Sequence, residues 1–90
     1  MPLMTAQPDL FPEPVQVPRV DPDDVRAEMI ELLARARAAR DAAPWDARRQ
    51  RFWRTVYPQM ARWLVDREEA EQLCFQFAEE LDRIDQLLAA

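Results

Sequence analysis

The side chains of this chain that could do chemistry are 17 carboxylates, 12 arginines and a single cysteine, Cys74. The sequence contains no His, Ser, Lys or Gly. His is the usual general base near pH 7, and Ser, Lys and an activated Cys are the usual nucleophiles. Cys74 has no His to generate a thiolate, and a chain without Gly lacks the tight backbone loops that enclose phosphates. These absences argue against an enzyme, and the carboxylates are most simply interpreted as solvated helix faces.

Composition also limits the cofactors, the compartment and the number of domains. A chain of 90 residues amounts to one domain at most. No Cys and His spacing fits zinc, so we expect no metal and no cofactor. The lone cysteine excludes an internal disulfide, and we interpret it as a small buried residue. No apolar run reaches the roughly 18 residues of a membrane span. The N-terminus lacks the pattern of a signal peptide, so we expect a cytoplasmic protein.

The segment Gln7-Pro8-Asp9-Leu10-Phe11 carries the most specific pattern in the chain. It resembles the short motif with which bacterial proteins bind the DNA polymerase sliding clamp: Gln, any residue (often Leu), Asp or Ser, Leu, Phe. The matching residues are Gln7, Asp9, Leu10 and Phe11, and Pro8 stands where Leu is frequent. The resemblance covers five of the 90 residues and implies that the partner is the ring-shaped clamp.

Leu10 and Phe11 are large apolar side chains that could fill a pair of adjacent apolar pockets on a partner. Fully burying each side chain contributes roughly 1.5–3 kcal/mol, and Gln7 can donate and accept hydrogen bonds at the rim. Ordering the segment costs part of this gain, so a micromolar affinity of about −8 kcal/mol is expected. The alternative is that Leu10 and Phe11 pack on the helices of their own chain.

Residues 1–20 are predicted to form an extended, mobile, proline-rich tail that carries this motif. Proline fixes φ and removes a backbone donor, so the tract cannot join a helix or a central strand. Its prolines are Pro2, Pro8, Pro12, Pro14 and Pro18. A tail of this kind can bring a motif into a groove on a partner, which a helical position could not do.

Residues 21–90 are predicted to form an all-α body, a small antiparallel three-helix bundle. The first helix is expected over about 22–42. Asp21 can cap its N-terminus and Pro22 suits its first turn, where acidic residues also complement the helix dipole. Pro44 is expected to stop it.

The second helix is expected over about 46–65, with a kink or a break at Pro58, since proline removes one internal hydrogen bond. Two shorter helices, 46–56 and 58–65, are the alternative. The third helix is expected over about 67–88, where apolar residues repeat in alternating steps of four and three.

Apolar residues at helical spacing predict the core of the bundle. Helix 1 is expected to contribute Val25, Met29, Leu32, Leu33 and Ala36. Helix 2 is expected to contribute Phe52, Trp53, Val56, Tyr57, Met60, Trp63 and Leu64. Helix 3 is expected to contribute Ala70, Leu73, Cys74, Phe77, Leu81, Ile84, Leu87 and Leu88. A helical hairpin that completes its core by forming a dimer is the alternative to a self-contained bundle.

Charge is segregated along the chain. Residues 44–62 hold five Arg and one Asp, giving +4, whereas residues 63–90 hold eight acids and two Arg, giving −6. The arginines of helix 2 that could contact nucleic acid or an acidic partner are Arg48, Arg49, Arg51 and Arg54. A net charge of −5 opposes steering toward DNA, so nucleic acid is not favoured. The simplest interpretation is that basic helix 2 lies against acidic helix 3 and that their charges neutralise each other.

These observations lead to three expectations about function. The first is a non-enzymatic adaptor, regulator or inhibitor that binds the sliding clamp through the tail, as the motif implies. The second is a partner-binding helical protein that acts through the bundle surface, such as a phage or toxin–antitoxin type inhibitor or a subunit of a complex. The third is a nucleic-acid binder that uses the arginines of helix 2.

Overall fold

The computed structural model describes residues 20–90, which form three α-helices: α1 (Pro22–Ala38), α2 (Ala47–Ala61) and α3 (Arg67–Ala89). Each helix packs against both of the others. Residues near the start of α2 contact residues near the end of α3, so these two helices are antiparallel. The starts of α1 and α3 are joined by an ion pair, so these two run in the same direction. The predicted all-α three-helix fold is confirmed.

Each of the three helices begins at an aspartate. The carboxylates of Asp21, Asp46 and Asp66 accept hydrogen bonds from backbone N–H groups two or three residues further on. These N–H groups have no partner within the helix, and a side-chain cap of this kind is worth about 1 kcal/mol. The three aspartates therefore fix where the helices start.

Helix α1 ends at Ala38, four residues before the expected end at about 42. The chain turns here because Arg83 of α3 donates hydrogen bonds to the carbonyls of Ala36 and Ala39, both at 2.7 Å. The last carbonyls of a helix have no N–H donor within the helix, and here an arginine from another helix supplies the donors that water would otherwise provide.

Helix α2 runs without interruption through Pro58, so the predicted break there does not occur and the alternative of two shorter helices is wrong. Pro58 is exposed, and its missing N–H leaves one carbonyl of the preceding turn without its usual helical partner. The helix ends at Ala61, and Arg67 donates to the carbonyls of Ala61 and Leu64, both at 2.7 Å. The α2 terminus is therefore closed in the same way as that of α1.

The centre of the core is a stacked pair of aromatic rings, Tyr57 of α2 and Phe77 of α3. Their centroids lie 3.7 Å apart and their planes are 9° from parallel. The Tyr57 hydroxyl donates to the backbone carbonyl of Met29 in α1 at 2.8 Å. The core residues are Met29, Leu32, Leu33, Ala36, Tyr57, Ala61, Leu64, Ala70, Leu73, Phe77, Leu81 and Ile84.

Two residues predicted to lie in the core are exposed instead. Phe52 is 45% exposed and Trp63 is 53% exposed. At about 100° per residue, Phe52 lies roughly 140° around α2 from the buried Tyr57, so neither α1 nor α3 covers it. The apolar stripe of α2 is wider than the groove that the other two helices offer.

Replacing Phe77 with alanine is expected to destabilise the fold by about 3–5 kcal/mol, because it removes the ring stacked on Tyr57 and leaves a cavity. Phe75, two residues earlier on the same helix, is 65% exposed and supplies a matched control. Phe75→Ala should change stability by no more than about 0.5 kcal/mol. Urea denaturation followed by circular dichroism measures both, and equal losses would contradict the described core.

The ion pair of Arg26 with Glu69, at 2.7 Å, joins the starts of α1 and α3. Hydrogen bonding by Arg26 lowers the pKa of Glu69. A lowered folded-state pKa means that the stabilisation is present above the unfolded pKa, about 4.3 for Glu, and is lost as the pH falls through the folded value. Glu69→Gln is therefore expected to destabilise at pH 7 and to have no effect once the carboxyl is protonated. Urea denaturation at pH 7 and at a pH low enough to protonate the carboxyl tests this. Glu79→Gln, on the exposed side of α3, is the control.

Candidate interaction surface on helix α2

The solvent side of α2 combines positive charge with exposed aromatic rings. Seven exposed residues of α2 and of the turn that directly follows it make up this surface, and we name this set the α2 outer face. They are Arg48, Arg51, Phe52, Thr55 and Gln59 of α2, and Arg62 and Trp63 of the turn. The stretch 47–65, which contains them, has five arginines and no acidic residue. The two exposed rings lie near opposite ends of the face, with polar side chains between them.

Arg49 and Trp53 hold the ring of Phe52 in place. The Phe52 ring meets Trp53 edge-on, with centroids 5.0 Å apart and an interplanar angle of 74°. The guanidinium carbon of Arg49 lies 5.2 Å from the Phe52 centroid and 5.9 Å from that of Trp53. Both geometries are favourable for aromatic and cation–π contacts. Phe52 is therefore an exposed ring in a defined orientation.

Only one of the four arginines predicted to form a contact surface is neutralised by α3. Arg54 lies 3.2 Å from Asp82 and 2.8 Å from Asp85. Within residues 20–90, no ion pair involves Arg48, Arg49 or Arg51. The interpretation that basic helix 2 and acidic helix 3 neutralise each other therefore holds for Arg54 alone.

The buried amide of Gln50, which sequence reasoning missed, anchors the start of α2 to α3. Gln50 is 4% exposed, and its Nε2 donates to the Leu81 carbonyl at 2.7 Å and to Asp85 at 2.8 Å. Its Oε1 accepts a hydrogen bond from the Trp45 indole N–H at 2.6 Å. Gln50 thus fixes the rotation of α2 and turns the neighbouring arginines toward solvent. The one signal for it was its spacing of seven residues from Tyr57, which marks an inward position.

Two other exposed apolar features lie away from the α2 outer face. Phe75 stands on the acidic solvent side of α3 and is 65% exposed. Ile30, at 39% exposure, lines a shallow groove between α1 and α3 together with Ala34 and Gln76. Neither feature combines free positive charge with aromatic rings in the way that the α2 outer face does.

Cys74 is half-buried, not fully buried as predicted. It lines a cavity of about 40 Å³ between α2 and α3, with Pro58 and Ala78 among its neighbours. Burial raises the pKa of the Cys74 thiol, and the charge of Arg67 opposes this shift.

Between Val20 and Ala90, no group of three or more His, Cys, Asp or Glu side chains could hold a metal ion. None of the three helices is long and apolar enough to cross a bilayer.

Alkylation of Cys74 is expected to be slow in the folded protein, because a raised pKa leaves less thiolate at a given pH. The rate with iodoacetamide should therefore rise at a higher pH in the folded chain than in the urea-unfolded chain. Mass spectrometry of quenched samples measures both profiles. Superimposable profiles would contradict the described environment of the thiol.

The residues predicted to bind the clamp, Gln7, Asp9, Leu10 and Phe11, lie outside the described residues. The structure therefore does not place them relative to the α2 outer face. Comparisons with known proteins give no match: no protein-family model, no curated protein and no solved structure matches the chain. Function has accordingly to be inferred from the chemistry of the chain's own residues.

Proposed function

We propose that this protein is a non-enzymatic adaptor, regulator or inhibitor that binds the bacterial DNA polymerase sliding clamp through residues 7–11. The observation that carries the proposal is the match of Gln7, Asp9, Leu10 and Phe11 to the clamp-binding pattern. Prolines bracket the Leu-Phe pair at positions 8 and 12, which opposes helix formation there. A segment that is not helical can bind in a groove on a partner and place its large apolar side chains in pockets there.

The distance along the chain between the motif and the helical body supports this role. Asp21, which caps α1, follows Phe11 by ten positions. Ten residues can span up to about 33–36 Å when fully extended. The motif can therefore enter a groove on another protein without requiring the helices to dock there as well.

The helical body has a core of its own, which fits a protein whose bundle is the folded part and whose tail binds the partner. Its centre is built from Met29, Tyr57 and Phe77, one residue from each helix. The apolar residues of the tail are thus additional to those that close the described bundle. In the proposed function they are anchors for a partner, with each buried side chain contributing roughly 1.5–3 kcal/mol.

The roles of the carboxylates support a non-enzymatic protein. Asp21, Asp46 and Asp66 cap helices, and Asp85 accepts hydrogen bonds from Gln50 and Arg54. These side chains are engaged in structural contacts and are not paired across a cleft, as catalytic carboxylates are. Together with the absence of His, Ser and Lys, this favours binding over catalysis.

Isothermal titration of the full chain with a purified bacterial sliding clamp tests the proposal. We expect a dissociation constant in the micromolar range, about 1–10 μM. The double variant Leu10→Ala/Phe11→Ala should lose at least roughly 100-fold in affinity, since two anchors of about 1.5 kcal/mol or more each are removed.

A matched control replaces two apolar residues of the same tail outside the motif, Val15→Ala/Val17→Ala, and should bind as the unmodified chain does. Deletion of residues 1–18 separates the tail from the bundle surface. Clamp binding that survives this deletion, or that survives the Leu10 and Phe11 substitutions, would exclude the proposed mechanism. A shift of clamp binding to the bundle would then favour the second expectation, a partner-binding helical surface.

A further inference from the structure

We propose that the α2 outer face is a binding site for single-stranded nucleic acid. In this site Phe52 and Trp63 stack on unpaired bases, and Arg48, Arg51 and Arg62 contact phosphates. The site lies on the helical body and uses no residue of the tail, so it neither depends on clamp binding nor repeats it.

The first argument is uncompensated positive charge. Arg48, Arg51 and Arg62 are exposed, and none of them forms an ion pair with another residue of the described range 20–90. No acidic residue occurs anywhere in 47–65 to reduce this charge from within the helix. Arginine guanidinium groups bind phosphate oxygens through paired hydrogen bonds and stack on planar groups. The face therefore has the donors that a phosphate backbone requires.

The second argument is the presence of two exposed rings on the same face. Phe52 and Trp63 are 45% and 53% exposed. At 1.5 Å per residue Phe52 lies about 14 Å before the end of α2 at Ala61, and Trp63 belongs to the turn that follows. Every base has a π-face, so aromatic side chains placed along a basic surface bind single strands with little sequence preference. Trp53 and Arg49 already orient Phe52 for such a contact.

The third argument is that the face fits nucleic acid better than it fits an acidic helix of a partner protein. A docking helix needs a continuous apolar strip, with large apolar residues at steps of four and three. On α2 that strip would run Phe52, Val56, Met60, Trp63, but Val56 and Met60 are half-buried, and the polar Gln59 is exposed between the two rings. Thr55 adds a further polar side chain between the two rings. Separate rings with polar groups and arginines between them fit alternating bases and phosphates better than they fit a hydrophobic helix face.

The acidic residues of α3 set the expected strength of the interaction. Asp82 and Asp85 lie beside Arg54, on the edge of α2 that faces α3, and not on the outer face. Their negative potential and the net charge of −5 oppose the approach of a phosphate chain. Binding is therefore expected to be weak and to depend strongly on salt.

The test titrates a fluorescein-labelled oligothymidine of about 20 nucleotides with the full chain at low ionic strength, about 50 mM. Fluorescence anisotropy should show saturable binding. For single strands the logarithm of the association constant falls with the logarithm of salt concentration by about 0.7 per neutralised phosphate. Three arginines therefore predict a slope of about −2.

Two variants of the outer face test the assigned residues. Trp63→Ala should weaken binding by roughly tenfold, because it removes one stacking platform. The double variant Arg48→Gln/Arg51→Gln should weaken binding by a similar factor. It should also make the salt slope shallower by about 1.4, since two phosphates are no longer neutralised. Trp63→Phe, which keeps a ring, should retain most of the affinity.

Matched controls come from the other helices. Phe75→Ala removes an exposed ring from α3, and Arg35→Gln/Arg37→Gln removes two exposed arginines from α1; neither should change binding. Circular dichroism checks that each variant is folded. The arginine substitutions are at exposed positions, where a change of side chain has little effect on stability.

Three results would overturn the assignment: no binding at low salt, equal losses in the variants and their matched controls, or equal affinity for polyglutamate. The last result would identify the face as a general site for acidic polymers. The variant Leu10→Ala/Phe11→Ala should bind the oligonucleotide normally while losing the clamp. Failure of this proposal is therefore distinguishable from failure of the proposed clamp binding.

Discussion

The packing of all three helices depends on one residue, Tyr57. Its ring stacks on Phe77 of α3, while its hydroxyl donates to the carbonyl of Met29 in α1. A buried hydroxyl without a partner would cost about 1–3 kcal/mol, so this hydrogen bond also determines how α1 sits against α2. Burial raises the pKa of Tyr57, so the hydroxyl stays protonated and remains a donor. Because Tyr57 and Gln50 both point inward, the arginines and rings on the opposite side of α2 must face solvent.

The absence of glycine explains much of the rest of the architecture. Helices commonly end on a glycine in the left-handed conformation, which this chain cannot supply. Two arginines of α3 close the ends of the preceding helices instead, Arg83 for α1 and Arg67 for α2. The guanidinium group suits this task, since it offers several donors in a planar arrangement and stays charged. Arginines therefore have two separate uses here: some are structural and bind carbonyls, whereas those on the α2 outer face remain available to a ligand.

Much of the fold could be predicted from sequence because local chemistry determines it. Asp21 before Pro22 marks the start of α1, and the alternating steps through Phe77, Leu81 and Ile84 mark the inner side of α3. The end of α1 could not be predicted, because it depends on Arg83, 44 residues beyond Ala39. Periodicity likewise could not show that Phe52 and Trp63 are exposed. It identifies apolar positions on a helix, but how wide a stripe is covered depends on how closely the neighbouring helices approach.

The links between α1 and α3 have a consequence for the order in which the protein can form. Arg26 reaches Glu69 across 43 positions of the chain, and Arg83 reaches Ala36 across 47. During synthesis the residues of α1 are added to the chain 43 and 47 positions before these partners. A single helix of 17 residues is only marginally stable in water. Native docking of α1 on α3 must therefore wait until α3 has emerged, and until then the side of α1 that packs on α3 stays uncovered.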